Sequence, residues 1–158
     1  MVDRSQYASI SGSVDSGVPF DIFVFRNLIE MPTRIAEYYS EEILDWSEYI
    51  EAFRDESDLI NERLSDVIRR NSISNIAQKV EVYQDALDRM ADIFETIEDE
   101  FNIQEQAIKD GEAFIEDTRV NPEIERRQEL LRERMKEAEK EFIDVKFGCY
   151  QFLSDLLS

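Results

Sequence analysis

The sequence predicts an all-α protein, an elongated antiparallel bundle of three coiled-coil helices that run up, down and up. Three observations support this fold class. Helix breakers are rare, with four Gly and three Pro among 158 residues. Charged residues make up 35% of the chain, which is typical of long, solvated helices. Apolar residues recur at alternating spacings of three and four over three long stretches, the heptad pattern of helices that pack along one seam.

Two segments precede the first heptad stretch. Residues 1–18 hold five Ser and two Gly with little apolar content, and we expect a flexible tail there. Residues 19–31 are the most apolar stretch of the chain, ahead of a break or new helix start at Pro32. We expect this segment either to cap the end of the bundle or to dock on another protein. Its candidate contact residues are Phe20, Phe23, Phe25 and Leu28.

The bundle itself is predicted over residues 32–158, with its first helix at about 33–70. The seam of that helix keeps the heptad spacing for more than four repeats. Its members are Ala36, Tyr39, Ile43, Trp46, Ile50, Phe53, Ser57, Ile60, Leu64 and Val67. Arg69 and Arg70 suit the negative end of a helix, and Asn71 suits the left-handed conformation that often follows one.

The second helix is predicted over residues 72–119, with Ser72 or Ser74 as its N-terminal cap. Its seam continues the same spacing without a skip. The members are Ile73, Ile76, Val80, Tyr83, Leu87, Met90, Phe94, Ile97, Phe101, Gln104, Ile108, Gly111 and Ile115. Inside a helix, Gly111 costs about 1 kcal/mol relative to Ala, so we interpret it as either a tolerated weak spot or a hinge.

The third helix is predicted over residues 122–157. Asn121 caps it, Pro122 takes its first position and Glu123 meets its positive end. The seam members are Ile124, Gln128, Leu131, Met135, Ala138, Phe142, Val145, Cys149, Phe152 and Leu156. We expect the seam aromatics to pack in the core. Gln104, Gly111 and Gln128 are predicted to fall near one another, and polar or small residues at seam positions can fix register at a cost in stability.

Helix lengths predict an uncovered hairpin tip. If the chain folds back about very short turns, helix three reaches only to about Asp85 on helix two, and residues 58–84 form a two-helix tip. Apolar side chains would then be partly exposed, and such surfaces usually meet a partner or a second copy. The residues concerned are Ile60, Leu64, Val67, Ile68, Ile73, Ile76 and Val80.

The negative charge is uneven along the chain. Of the formal net charge of −19, residues 33–120 carry −15 and residues 121–158 carry −2. The outer face of helix two is predicted to bear five carboxylates relieved only by Arg89, here called the acidic ridge: Asp85, Asp88, Asp92, Glu95 and Asp99. Three interpretations remain open: a solubilising face, a docking face for a basic partner, and an imitation of a row of phosphates.

Several chemistries are not expected. The chain has no His, which removes most zinc-enzyme sites and the serine and cysteine triads. Glu41, Glu42 and Asp45 resemble half of the metal motif of all-α nucleotide pyrophosphohydrolases, but the second half does not appear. We therefore expect no enzyme, no metal and no cofactor. Cys149 is the single cysteine and permits no internal disulfide, so a cytoplasmic location is expected.

The sequence predicts a non-enzymatic protein that binds other proteins, as an adaptor, scaffold or assembly factor. We expect a homodimer or hetero-oligomer and a partner with a basic surface. The alternative function is an acidic inhibitor that imitates nucleic acid and blocks the basic groove of an enzyme. Direct nucleic-acid binding and membrane binding are not expected, because the acidic chain would be repelled by phosphates and by anionic lipid surfaces.

Overall fold

The computed structural model describes the backbone of residues 22–111, 114–116 and 119–157 and the side chains of residues 34–111 and 121–157. The all-α class is confirmed, and three helices form a bundle. In chain order the elements are α1 (Ile22–Arg70), α2 (Ser74–Lys109), β1 (Phe114–Glu116), β2 (Arg119–Val120) and α3 (Pro122–Leu157). The two short strands pair antiparallel within the connection between α2 and α3, and β2 contacts α1.

Helix α1 begins earlier than the sequence predicts, because it runs from Ile22 through Pro32 without a break. Proline lacks the N–H that would bond to the carbonyl of Leu28, but the turns on both sides remain helical. The boundary predicted at Pro32 is therefore wrong. The predicted tail and Phe20 lie outside the described residues, as do the side chains of the other candidate contacts (Phe23, Phe25 and Leu28), so capping or docking stays a prediction.

Helix α2 ends at Lys109, ten residues before the predicted end at 119. Gly111 lies just beyond it with φ of 77°, a left-handed conformation that glycine adopts without steric cost. The N–H of Gly111 donates to the carbonyl of Ile108 at 3.1 Å, as at many helix ends. Gly111 thus terminates a helix, and both interpretations that placed it in a helix interior, as a weak spot or as a hinge, are wrong.

The helix starts differ in how they are capped. Asn121 caps α3 as predicted, because its Oδ1 accepts a hydrogen bond from the backbone N–H of Glu123 at 2.9 Å. The N-cap of α2 is Ile73, which makes no side-chain capping bond. The prediction that Ser72 or Ser74 caps this helix is therefore wrong.

The predicted seams form the core. Partly buried Phe53 packs against it, with its ring centroid 5.5 Å from that of Phe94 and 4.8 Å from that of Phe142. Trp46 stacks on Phe101 at 5.6 Å. The buried apolar residues come from all three helices: Tyr39, Ile43, Ile50, Ile60, Leu64, Val80, Leu87, Met90, Phe94, Ile97, Phe101, Ala107, Ile124, Leu131, Met135, Ala138, Phe142 and Cys149.

Cross-helix contacts define the direction of each helix. Trp46 contacts Phe101, whereas Phe53, further along α1, contacts Phe94, which is earlier in α2. Helix α2 therefore runs back along α1. Two ion pairs between α1 and α3 each join residues 90 positions apart, so α3 lies beside α1 and runs in the same direction.

Helix α3 packs against the hairpin end at residues 58–84, which the sequence predicts to be uncovered. Because the connection after α2 takes up residues 110–121, α2 and α3 have the same length of 36 residues, and α3 reaches the tip. The ring of Phe152 stacks on Tyr83 with centroids 4.8 Å apart. The predicted exposure of three residues is accordingly wrong, since Ile60, Leu64 and Val80 are fully buried.

The remaining predicted tip residues divide into two pairs. Val67 and Ile76 are partly buried against the core. Ile68 and Ile73 are exposed, by 39% and 60%. Only this second pair offers apolar surface to a partner.

Burial of Leu64 in the three-helix core has a measurable consequence. Leu64→Ala should lower the free energy of unfolding by about 2–5 kcal/mol, because it removes core contacts and leaves a cavity. Leu59→Ala is the matched control, since Leu59 lies on the same helix and is 45% exposed. It should change that free energy by about 0.5 kcal/mol or less. Urea unfolding followed by circular dichroism measures both free energies. Equal losses in the two variants would contradict the burial of Leu64 in the three-helix core.

Candidate functional site

The first candidate surface is an exposed apolar patch at the end of the bundle where α1 meets α2 and α3 ends. We call it the apolar tip. Val82, Tyr83, Phe152 and Leu156 line a surface cavity of ≈ 450 Å³ there, together with the charged residues Lys79 and Asp155. Its members are exposed apolar residues from all three helices and the first turn: Ile68, Ile73, Val82, Leu156 and Leu157. Val82 and Leu156 share one cavity, and exposed apolar side chains grouped in this way mark interaction sites.

The second candidate surface is the acidic ridge on α2. All five of its side chains are exposed, as the sequence predicts. Of the cations near them, Arg89 pairs instead with Glu141 of α3 at 2.6 Å. Arg134 lines the same groove as Asp92, and the charge of Glu95 helps to raise the pKa of Arg54. Within the described part of the chain, the ridge carboxylates take part in no ion pair. The ridge is therefore a row of carboxylates without direct ion pairs, and Arg54, Arg89 and Arg134 nearby offset part of its charge.

No metal centre is found on these surfaces. In the described residues, no three His, Cys, Asp or Glu side chains are grouped so that they could hold a metal ion. Of the half-motif residues, Glu42 is already engaged by Arg132, whose Nε lies 2.9 Å from its Oε1. Cys149 is fully buried, and burial raises the pKa of its thiol, which disfavours the reactive thiolate.

The third candidate feature is a buried polar network that joins the three helices. Gln104 and Gln128 are fully buried, and Gln104 Nε2 donates to Gln128 Oε1 at 3.1 Å. Gln128 Nε2 in turn donates to Glu42 Oε1 at 2.8 Å and to the carbonyl of Tyr39 at 3.3 Å. The sequence placed the two glutamines near one another, and the structure brings them into contact.

Arg132 closes the network at its outer edge. Its Nε donates to both carboxylate oxygens of Glu42, at 2.9 and 3.0 Å, and its NH1 donates to Glu129 at 2.8 Å. The hydrogen bond to Glu42 raises the pKa of the guanidinium above its ordinary value. The guanidinium carbon also lies 5.6 Å from the centre of the Tyr39 ring, a cation–π distance.

Tyr39, Glu42 and Arg132 were not predicted as members of a polar site. A signal was present, because Gln128 and Arg132 are four residues apart and therefore share a face of α3. Glu42 likewise directly precedes the seam residue Ile43 on α1. The sequence does not indicate how α1 and α3 are aligned along the bundle axis. Without that alignment, Glu42 cannot be matched to Gln128 and Arg132. Among the tip residues, Val82, Leu156 and Leu157 were also missed, because the predicted tip extended only over residues 58–84 and left out the end of α3, and because Val82 lies on no seam.

A scan against protein-family models found no match to the chain, and searches of curated proteins and of solved structures found none either. Within the part of the chain that is described, no helix has the length and apolar character needed to cross a membrane. The function is therefore inferred from the geometry of the tip, the ridge and the network.

The buried phenol of Tyr39 predicts a loss of stability in alkali. Burial, and then the charge of Glu125, raise the pKa of Tyr39 above 10.0. Below pH 10 the phenol is neutral in both the folded and the unfolded chain. Above pH 10 the unfolded chain releases its proton first, so the free energy of unfolding falls as pH rises.

Tyr39→Phe removes this contribution and should keep more of its stability between pH 10 and 11 than the unchanged protein. At pH 7 the two proteins should differ by no more than about 1 kcal/mol. Urea unfolding at both pH values makes the comparison. Parallel decline of the two proteins in alkali would show that Tyr39 is not responsible.

Proposed function

We propose that this protein is a non-enzymatic binding protein that recognises another protein through its apolar tip. The observation that supports this function is the exposure of Ile73, Val82 and Leu157, by 60%, 65% and 90%, together with the surface cavity that Val82 and Leu156 line. Three helix segments and a turn converge there, so a partner would contact a surface held on rigid elements. In this proposal the bundle is an elongated coiled coil that acts in the cytoplasm as an adaptor, scaffold or assembly factor.

The tip suits a partner that supplies an apolar surface of its own. Residues 67–80 contain no Asp or Glu, so the strong negative charge of the chain does not extend across the turn. A partner that docks on residues 67–80 would take no carboxylate of that segment out of water, which would be costly. In the adjoining cavity, Lys79 and Asp155 supply one charge of each sign. Such a contact should depend only weakly on salt. A second copy of the chain or a different protein would satisfy these requirements equally.

A variant that changes the tip without changing net charge tests this function. Ile68→Lys with Ile73→Asp places a cation near the end of α1 and a capping residue at the start of α2, so both helices should be retained. We expect light scattering to show loss of self-association, or affinity capture from an extract of the native source to show at least a tenfold loss of one captured protein.

The matched control is Leu44→Lys with Leu59→Asp, which alters two exposed leucines of α1 away from the tip. It should behave as the unchanged protein does. If all three proteins have the same mass and recover the same partners, the tip is not the binding surface.

The acidic ridge supports a second candidate function, that of an inhibitor that imitates nucleic acid. Its five carboxylates, none of them in an ion pair among the described residues, lie between Asp85 and Asp99, a separation of fourteen residue steps or about 21 Å of helix. The mean spacing is then about 5 Å per charge, against about 3.4 Å along one strand of DNA. The ridge is thus a sparser row of charge than a nucleic-acid strand, which is why we place this function second.

Charge reversal within the ridge separates the two functions. For a partner held by the ridge, Asp88→Lys with Asp92→Lys should abolish capture, and added duplex DNA should do the same. An increase in NaCl from about 50 to 300 mM should also abolish it, because salt screens exposed charges. For a partner held by the tip, all three treatments should leave capture within about twofold. Capture that resists the tip variant and fails in these treatments would reverse our order of preference.

A further inference from the structure

The apolar seams alone do not define how far each helix slides along its neighbours. Each seam repeats a similar alternation of apolar residues over about five heptads. A slide of seven residues, about 10 Å of helix, therefore places apolar residues opposite apolar residues again. Some other interaction must distinguish the observed register from its neighbours.

The buried polar network can distinguish one register from another, because each of its hydrogen bonds has a fixed donor and a fixed acceptor. A carboxylate can only accept hydrogen bonds, so Glu42 requires the amide nitrogen of Gln128 to point toward it. The oxygen of Gln128 then faces the opposite way and accepts from Gln104 Nε2 at 3.1 Å. Gln104 Nε2 also donates to the carbonyl of Ile124 at 2.8 Å. One carboxylate thus orients both amides across the three helices.

A slide of seven residues would break every link of this chain. Moving α3 along α2 in one direction would bring Gln104 level with Met135, and the opposite slide would bring Gln128 level with Ile97. Moving α3 along α1 would bring Arg132 level with Ile35 or with Tyr49 in place of Glu42. Each slide leaves buried amides or a carboxylate without partners, and unpartnered polar groups in a core are costly.

We propose that the network of Glu42, Gln104, Gln128 and Arg132 selects the register of the bundle, and that it does so at the expense of stability. The expense is visible at Gln104 Oε1, which is buried and has no hydrogen-bond partner among the described residues. A core of apolar residues at these seam positions would hold no such atom. Register also decides the composition of the tip, because Phe152 and Leu156 lie beside Val82 only in this alignment.

Replacing the two amides with leucine tests the proposal. Spin labels at exposed Asp99 and Asp144, in a Cys149→Ala background, report the alignment of α2 with α3 through the distance between them. The unchanged network should give one distance. Gln104→Leu with Gln128→Leu should raise the midpoint of thermal unfolding by about 4–8 °C and add a second distance population that corresponds to a slide of one heptad.

The control is Met90→Leu with Met135→Leu, which changes two buried seam residues without touching the network. It should keep a single distance. If the leucine pair prevents folding, Gln104→Met with Gln128→Met replaces the amides with unbranched apolar chains of similar length and is judged by the same criteria. A single unchanged distance in the amide-free protein overturns the proposal, whether its unfolding midpoint rises or falls.

Discussion

Each helix of this protein contributes one seam of side chains to a narrow shared core. The other features of the molecule depend on the axial register of the three helices, that is, on which residues of the seams lie opposite one another. At the level of Phe53 the rings of Phe94 and Phe142 meet it from the other two helices. A helix that moved along the bundle would therefore change the contacts of both its neighbours at every level. Close packing of this kind tolerates little displacement, so core, tip and outer faces form one linked arrangement.

The fold class and the seams could be predicted because heptad spacing is a local property of the sequence. The ends of the helices could not, since a seam does not indicate where it stops. Ile115 continues the spacing of α2 by coincidence, although it belongs to β1, and Gly111 in a seam position does not reveal whether it interrupts a helix or ends one. That ambiguity shifted the predicted alignment of α3, and with it the expected exposure of Ile60, Leu64 and Val80.

The distribution of charge follows from the same packing. Five ion pairs between helices are found among the described residues: Arg54–Glu98, Arg89–Glu141, Arg132–Glu42, Arg134–Glu100 and Lys146–Glu56. Exposed pairs contribute little stability individually, but together they place cations along the helix–helix boundaries. The ridge carboxylates are left out of these pairs, although Asp92 lies in the groove between α2 and α3 beside Arg89 and Arg134. The ridge is thus a property of the assembled bundle as much as of the composition of one helix.

The two connections of the bundle differ in length, and this difference favours one order of folding. Three residues join α1 to α2, whereas twelve join α2 to α3, and closing the longer connection costs about 1 kcal/mol more in chain entropy. We therefore expect contacts between α1 and α2 near the short turn to form before α3 docks. In that order the two glutamine amides meet their partners only when α3 docks, so the alignment of the three helices is selected at the end of folding.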